Sequence, residues 1–475
     1  MAGGICGKMR RMQEVKVVPR ALEELVGVLT AEQAERFKAA AERAAEVMAG
    51  RVVWNVSSTA TGGGVAEMLR TLLGYVAGAG VRTRWLVIDG DGQFFVATKR
   101  LHNAIHGVGS VPALDAADRS AYDRGQTRAL PELRDRIGPR DLVLLHDPQT
   151  AGLAAPLHRA GVPVLWRSHI GLDVPTATSD SAWDFLRRYV ESADATVFSR
   201  RQYAPAWVPV DRLWVIPPSI DPLSAKNRPI AAGDRVRILI DAGLLSAGGP
   251  PAGQVVRGAP PPAPDAPLVV QVSRWDRLKD MAGVMHGFAR MSPRRPDAHL
   301  MLVGPAVAGV TDDPEGAQVF AESLEAWGAL PAGVRDRVHL ASVPMDDPER
   351  NATIVNAVQR HAAVIVQKSL AEGFGLTVAE AMWKGRPVIG SAVGGILDQI
   401  EDGRSGVLVD PRDADAFAAA LELLLADEQL ARRLGEAAHL RVRDHYLGDR
   451  HLGQYAELFD TVLSRTPHGP SVRPG

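Results

Sequence analysis

The sequence holds one cysteine, Cys6, so neither a disulfide framework nor a cysteine-based metal site can form within one chain, and a reducing cytoplasm is the expected compartment. It also lacks any run of 18 apolar residues, which excludes a spanning helix and a membrane partner. The basic start at Lys8, Arg10 and Arg11 leads into a mixed stretch, not into the apolar segment of a secretory signal. No block of single-sign charge occurs: 54 basic and 55 acidic residues are interspersed to a net charge of -1, so no nucleic-acid partner is expected. A short internal repeat is missing as well.

What is present suits a folded, two-lobed chain. At 475 residues with 46% apolar content, the length exceeds what one core usually supports. Short β-branched runs at 52–56, 84–88, 142–145, 162–166 and 196–198 alternate with helical patterns and predict one doubly wound α/β sheet. A second series at 268–272, 299–303, 338–341, 363–366, 387–389 and 407–409 predicts another. Between them, residues 246–267 are rich in Gly, Pro and Ala, a composition that favours neither helix nor strand and reads as linker or exposed loop. Beyond Asp413 the pattern turns helical, with Phe417, Leu421, Leu424 and Leu425 on one face and a further helix near 454–463.

Three strand-to-helix turns carry residues able to do chemistry. Gly62, Gly63 and Gly64 follow the first strand, and glycine there lets backbone N–H groups approach an anion at a helix N-terminus. Glycine also suits any tight turn, and the loop matches neither the P-loop nor the dinucleotide fingerprint. After the strand at 268–272, Arg274 and Lys279 place two cations at a strand's carboxyl end, where open α/β sheets bind ligands. Such cations stabilise a departing diphosphate, although a strand end also carries basic residues simply for solvation. The third turn, Glu372-Gly373-Phe374-Gly375-Leu376-Thr377 onward to Glu380, sets one carboxylate on a glycine-flanked loop and the other inside a helix. Carboxylates accept hydrogen bonds from vicinal hydroxyls, so one can hold a hexose and the other a ribose, a reading the flanking glycines favour over Glu380 as an ordinary helix-surface residue.

Taken together, Glu372 and Glu380 with seven residues between them, plus Arg274 and Lys279, resemble the signature of retaining GT-B glycosyltransferases. Within that group the chain resembles the trehalose glycosyltransferring synthases through Trp54-Asn55-Val56-Ser57-Ser58-Thr59, residues 98–103, His146-Asp147-Pro148-Gln149, Arg167-Ser168-His169-Ile170 and residues 216–224. The resemblance implies two Rossmann-like doubly wound domains with an interlobe cleft: an N-terminal acceptor domain at 1–222, a linker region at 223–267 and a nucleotide-sugar domain at 268–444. A C-terminal helix at about 445–465 is expected to return to the first domain. Arg274, Lys279 and Glu372 are then catalytic and donor-binding, joined on the donor by Gly62, Gly63, Gly64, Gly373, Phe374, Gly375, Leu376, Thr377 and Glu380.

The same resemblance makes His169 a catalytic contact to a sugar hydroxyl or the transition state, and sets Lys99, Asn103, His146, Asp147 and His169 around the acceptor. The implied reaction moves glucose from a nucleotide-diphosphate glucose to glucose, forming trehalose. No motif supplies a carboxylate nucleophile, so a front-face route is expected, with the departing diphosphate as the base. Asp89-Gly90-Asp91 could hold a divalent metal in the other large glycosyltransferase fold, but here a cationic pair serves the diphosphate. Asp89 and Asp91 therefore read as loop and capping residues, no obligatory metal site is expected, and Mg2+ is an optional companion of the nucleotide. Small-molecule sugars are the expected partners, with a homodimer suggested by family analogy.

One departure stands out: where the subfamily pattern has His-Ile-Asp, this chain has His169-Ile170-Gly171, with Asp173 two residues on. Losing a carboxylate beside an acceptor pocket alters specificity. A different sugar, cyclitol or secondary metabolite is thus the alternative acceptor. A sugar phosphorylase or epimerase on the same fold, and a catalytically silent sugar-nucleotide sensor, are the other readings.

Overall fold

Both faces of the predicted parallel strands are apolar, and their packing follows from that. In the computed structural model, which describes residues 12–60, 64–246, 256–258, 260–306 and 314–465, Val143 and Leu145 face one buried cluster while Leu142 and Leu144 face another. A strand covered on both sides in this way is typical of a parallel sheet roofed by helices.

Sheet one has seven strands: β1 (Gln13–Val15), β2 (Val53–Ser57), β3 (Thr83–Val87), β4 (Leu142–His146), β5 (Val164–Ser168), β6 (Ala195–Phe198) and β7 (Leu213–Val215), in the order β1-β3-β2-β4-β5-β6-β7. All pairs are parallel except the edge strand β1, which runs antiparallel to β3. The helix Gly448–Arg465 covers one face, burying Leu458, Val462 and Leu463 against Val53, Leu142 and Leu144.

Sheet two also has seven strands: β8 (Val256–Gly258), β9 (Leu268–Val272), β10 (His299–Pro305), β11 (Val338–Val343), β12 (Val364–Gln367), β13 (Val388–Ser391) and β14 (Val407–Val409), in the order β14-β13-β12-β9-β10-β11-β8. Phe288 of the helix Met281–Met291 and Phe417 and Leu421 of the helix Ala414–Ala426 pack on Val269, Leu302 and Val366. The chain divides into two compact units at 218/219 and again at 447/448, so the last helix belongs with sheet one. Among the described residues no helix is long and apolar enough to cross a membrane.

The linker expected at 223–267 needs correcting. It contains the helix Ala232–Asp241, whose Leu239 is buried, and β8, which pairs antiparallel with β11 through Val256, Arg257 and Gly258. An edge strand needs only one neighbour, so three residues suffice despite the surrounding Gly and Pro. The strands β1 and β7 also went unread: each is three residues long, and in β1 Gln13 and Glu14 are exposed.

Candidate active site

In the first unit the strands β2, β4 and β5 lie side by side, and polar side chains collect at their carboxyl ends. Arg167, fully buried on β5, donates Nε–H to His169 Nδ1 at 3.2 Å. His169 Nε2 lies 3.2 Å from His146 Nδ1, and His146 Nε2 lies 3.1 Å from Asn55 Oδ1. Guanidinium can only donate and an amide oxygen can only accept, so the chain has one direction. Each neutral imidazole carries its proton on Nε2, with His169 donating to His146 and His146 to Asn55.

Burial, and after it the nearby Arg167 charge, drives His146 down to about 3 and His169 well below its ordinary range. These imidazoles are fixed dipoles at neutral pH, with both ring nitrogens of each engaged. Arg167 is completed by Ile216 O at 3.0 Å, His451 Nε2 at 3.2 Å and Tyr455 Oη, the last two from the helix Gly448–Arg465.

Asp147 follows β4 with φ 64 and ψ 174, backbone space that almost only glycine occupies without strain. That conformation lets Oδ1 accept the backbone N–H of His169 at 2.8 Å, while Asp147 N–H reaches Arg167 O at 2.7 Å. Asp147 keeps part of its surface open, yet the protein packed around its carboxyl raises it to about 6.

His146, Asp147 and His169 therefore form one cluster. Lys99 is exposed and Asn103 half-buried, four residues apart on one face of the helix Gly92–Ile105. Gly64 opens the helix Gly64–Gly78, whereas Gly62 and Gly63 lie outside the described residues. Asp91 caps the helix Gly92–Ile105 by accepting from Phe94 N at 2.9 Å and pairs with Arg128 at 3.0 Å. Asp89 lies in the irregular stretch between β3 and that helix. At Gly171, a Cβ atom would stand 2.2 Å from Tyr203 Cγ and 2.3 Å from its Cβ, so no side chain fits. Asp173 instead pairs with the buried Arg200.

In the second unit, β9 and β12 are neighbours, and their following loops converge. Lys279 Nζ lies 2.6 Å from Glu372 Oε2, which also accepts from Ser369 Oγ at 3.1 Å. Gln271 at the end of β9 staples the loops, donating to Lys279 O at 2.8 Å and accepting Lys368 N–H at 2.9 Å. Lys368 itself is buried against Asp280 and Pro411 O.

Arg274 projects outward from the first loop and pairs with Asp276 at 3.1 Å. The neighbouring Trp275 anchors that loop by donating to Pro305 O at 2.8 Å. Gly375, at φ 88, turns the chain into the helix Leu376–Trp383, and Thr377 fastens it to Gln367 Oε1 at 2.9 Å. Gly373 and Phe374 pass so close to Gly395 that a Cβ there would be 2.5 Å from Phe374 Cα. Glu380 is not a surface residue: it is buried inside that helix.

Comparison with known proteins bears on what this arrangement serves. The family model for the trehalose synthase N-terminal domain matches residues 55–205, and that for glycosyl transferases group 1 matches residues 256–441. A trehalose synthase from Pyrococcus horikoshii is 34% identical over 458 residues, covering 96% of this chain and 99% of that protein. The chain belongs to the trehalose synthase family.

It is accordingly a trehalose-related glycosyltransferase. A trehalose phosphorylase from Pleurotus pulmonarius is 28% identical, covering 82% of this chain but 54% of that one. A solved trehalose-6-phosphate synthase, OtsA, overlays with a TM-score of 0.66 at 15% identity, covering 88% of this chain and 99% of that chain. The fold is GT-B, two Rossmann-like domains each built on a parallel sheet.

The family-like motifs mark single residues, whereas Arg167, Asn55, His451 and Tyr455 join into one network only in the folded chain. A signal existed at the C-terminus: His451 and Tyr455 stand four apart on the apolar face of an amphipathic helix, where polar side chains need partners.

Proposed function

We propose that the chain is a retaining glucosyltransferase that moves glucose from a nucleoside-diphosphate glucose to glucose, releasing the nucleoside diphosphate and forming trehalose. The observation that carries this reading is the Lys279–Glu372 pair at the carboxyl ends of adjacent parallel strands. It offers a cation for a phosphate oxygen and a carboxylate for a hexose hydroxyl within one small volume. Arg274 adds a second cation in the same loop, and the buried Glu380 is the group for the ribose.

The bond between the anomeric carbon and the diphosphate oxygen breaks while the acceptor oxygen bonds to that carbon on the same face. The acceptor proton passes to an oxygen of the departing diphosphate, whose charge Arg274 and Lys279 neutralise. No obligatory metal enters this scheme, because the two cations serve the diphosphate. His146 and His169, neutral and with both ring nitrogens spent on protein partners, act as a fixed dipolar brace beside the acceptor and offer it no ring-nitrogen hydrogen bond. They do not act as acids or bases.

Gly171 favours a second reading of the acceptor alone. With Tyr203 filling the space, no aspartate can stand there, so a sugar or cyclitol other than glucose is the alternative. The test incubates the purified chain with several nucleoside-diphosphate glucoses and an acceptor panel including glucose, and in parallel with trehalose and inorganic phosphate. Release of nucleoside diphosphate with formation of a non-reducing α,α-linked disaccharide supports the proposal. Turnover seen only with inorganic phosphate would replace it with phosphorolysis.

A further inference from the structure

Three guanidinium groups gather where the helix Pro348–His361 ends. Arg360 lies in its last turn, Arg235 reaches over from the helix Ala232–Asp241, and Arg386 precedes β13. Arg235 Nη1 donates to Arg360 O at 2.8 Å, and Arg386 Nη1 donates to Ala362 O at 3.1 Å. Arg360 donates Nε–H to Asn356 Oδ1 at 2.9 Å and reaches Asn227 O at 2.6 Å. Every hydrogen bond these three make among the described residues goes to a neutral oxygen.

The cluster has more donors than acceptors. The Nε–H groups of Arg235 and Arg386 are buried and donate to nothing among the described residues. Burial pushes Arg386 down to about 10, with Arg235 and then Arg360 adding repulsion, and burial followed by Arg235 lowers Arg360 too. His361 feels the same field, lowered by burial first and then by Arg235 and Arg386. The carbonyl end of a helix offsets part of a positive charge but not three charges together. Like charges held this close call for an anion.

We propose that Arg235, Arg360 and Arg386 form a binding site for a multiply charged oxyanion, a phosphate group either free or carried on a small metabolite. Guanidinium forks suit phosphate oxygens, and among the described residues none of the three hydrogen-bonds a carboxylate. The site is separate from the donor loops. Ala362 and Arg386 precede β12 and β13, whereas Lys279 and Glu372 follow the carboxyl ends of β9 and β12.

The test is calorimetry on the full chain in an Arg274→Gln/Lys279→Gln background, which removes phosphate binding at the donor loops. Inorganic phosphate and glucose 6-phosphate are titrated separately, so the tighter of the two identifies the source of the phosphate group. One equivalent per chain is expected, and adding Arg235→Gln/Arg386→Gln should weaken it by about tenfold or more. Arg235→Gln alone, on a half-buried helix position, should weaken it by a smaller factor while circular dichroism and the melting curve stay unchanged, which guards against misfolding. Absence of binding, or binding that survives both substitutions in a folded protein, overturns the proposal.

Discussion

His146 Nδ1 and His169 Nε2 lie 3.2 Å apart, and the hydrogen bond between them has its direction set from both ends, by Arg167 as donor and Asn55 as acceptor. Such a chain works only while both rings are neutral. A proton added to either would set two N–H groups, or a cation and Arg167, against each other.

That requirement gives the protein a pH profile. His146, lowered to about 3, and His169 and His451, both held well below the ordinary histidine range by burial and Arg167, bind protons more weakly folded than unfolded. Their stabilisation is present above the ordinary histidine value and is lost as pH falls below about 6.5, at about 1.4 kcal/mol per pH unit for each group. Asp147, raised to about 6, works the other way between about 4 and 6, regaining stability as it is protonated. Three against one leaves a net loss on acidification. Denaturant melts at pH 7, 6 and 5 should show it, with a shallower slope in His146→Asn.

Asp147→Gly should separate strain from function. Relieving the left-handed backbone gains about 1–3 kcal/mol, and losing the bond to His169 N costs about 1 kcal/mol, so stability should hold or rise. Transfer activity should nonetheless fall about tenfold or more as His169 loses its tether. Melting temperature and kcat/KM, measured on the same samples, check this, and a fall in both would mean that the residue is merely structural.

Gly171→Ala should destabilise the chain by about 1–3 kcal/mol, because its Cβ must displace Tyr203, and Gly171→Asp by more. Chemical denaturation of both variants decides it. Wild-type stability in the aspartate variant would show that the family pattern fits here after all.

Much of the fold could be read in advance, because fully buried parallel strands leave apolar runs that alternate with helical spacing, as at 142–145 and 268–272. The edge strands β1, β7 and β8 escaped, since each has only three residues and one neighbour, too short a run to show a pattern. The residues proposed for the donor were legible because Lys279 and Glu372 stand in local turns and Glu380 follows in the next helix at a characteristic spacing. The buried network in the first unit was not, because Asn55, Arg167 and His451 meet only through tertiary folding. Likewise, the spacing of Glu372 and Glu380 says nothing of burial, and it was packing that put Glu380 inside.

The two glutamates should divide the donor between them. Glu380→Gln should weaken free nucleoside diphosphate by about tenfold. Glu372→Gln, which also releases Lys279, should leave that affinity nearly unchanged while lowering kcat. Calorimetry and steady-state kinetics on the two variants test the ordering.

The most direct measurement is calorimetric titration of nucleoside diphosphate into the wild-type chain and into Arg274→Gln/Lys279→Gln. Saturable binding at one site, weakened by about a hundredfold in the double variant while its melting temperature is retained, is the expected result. Equal affinity in the two proteins would contradict the assignment of these loops to the donor.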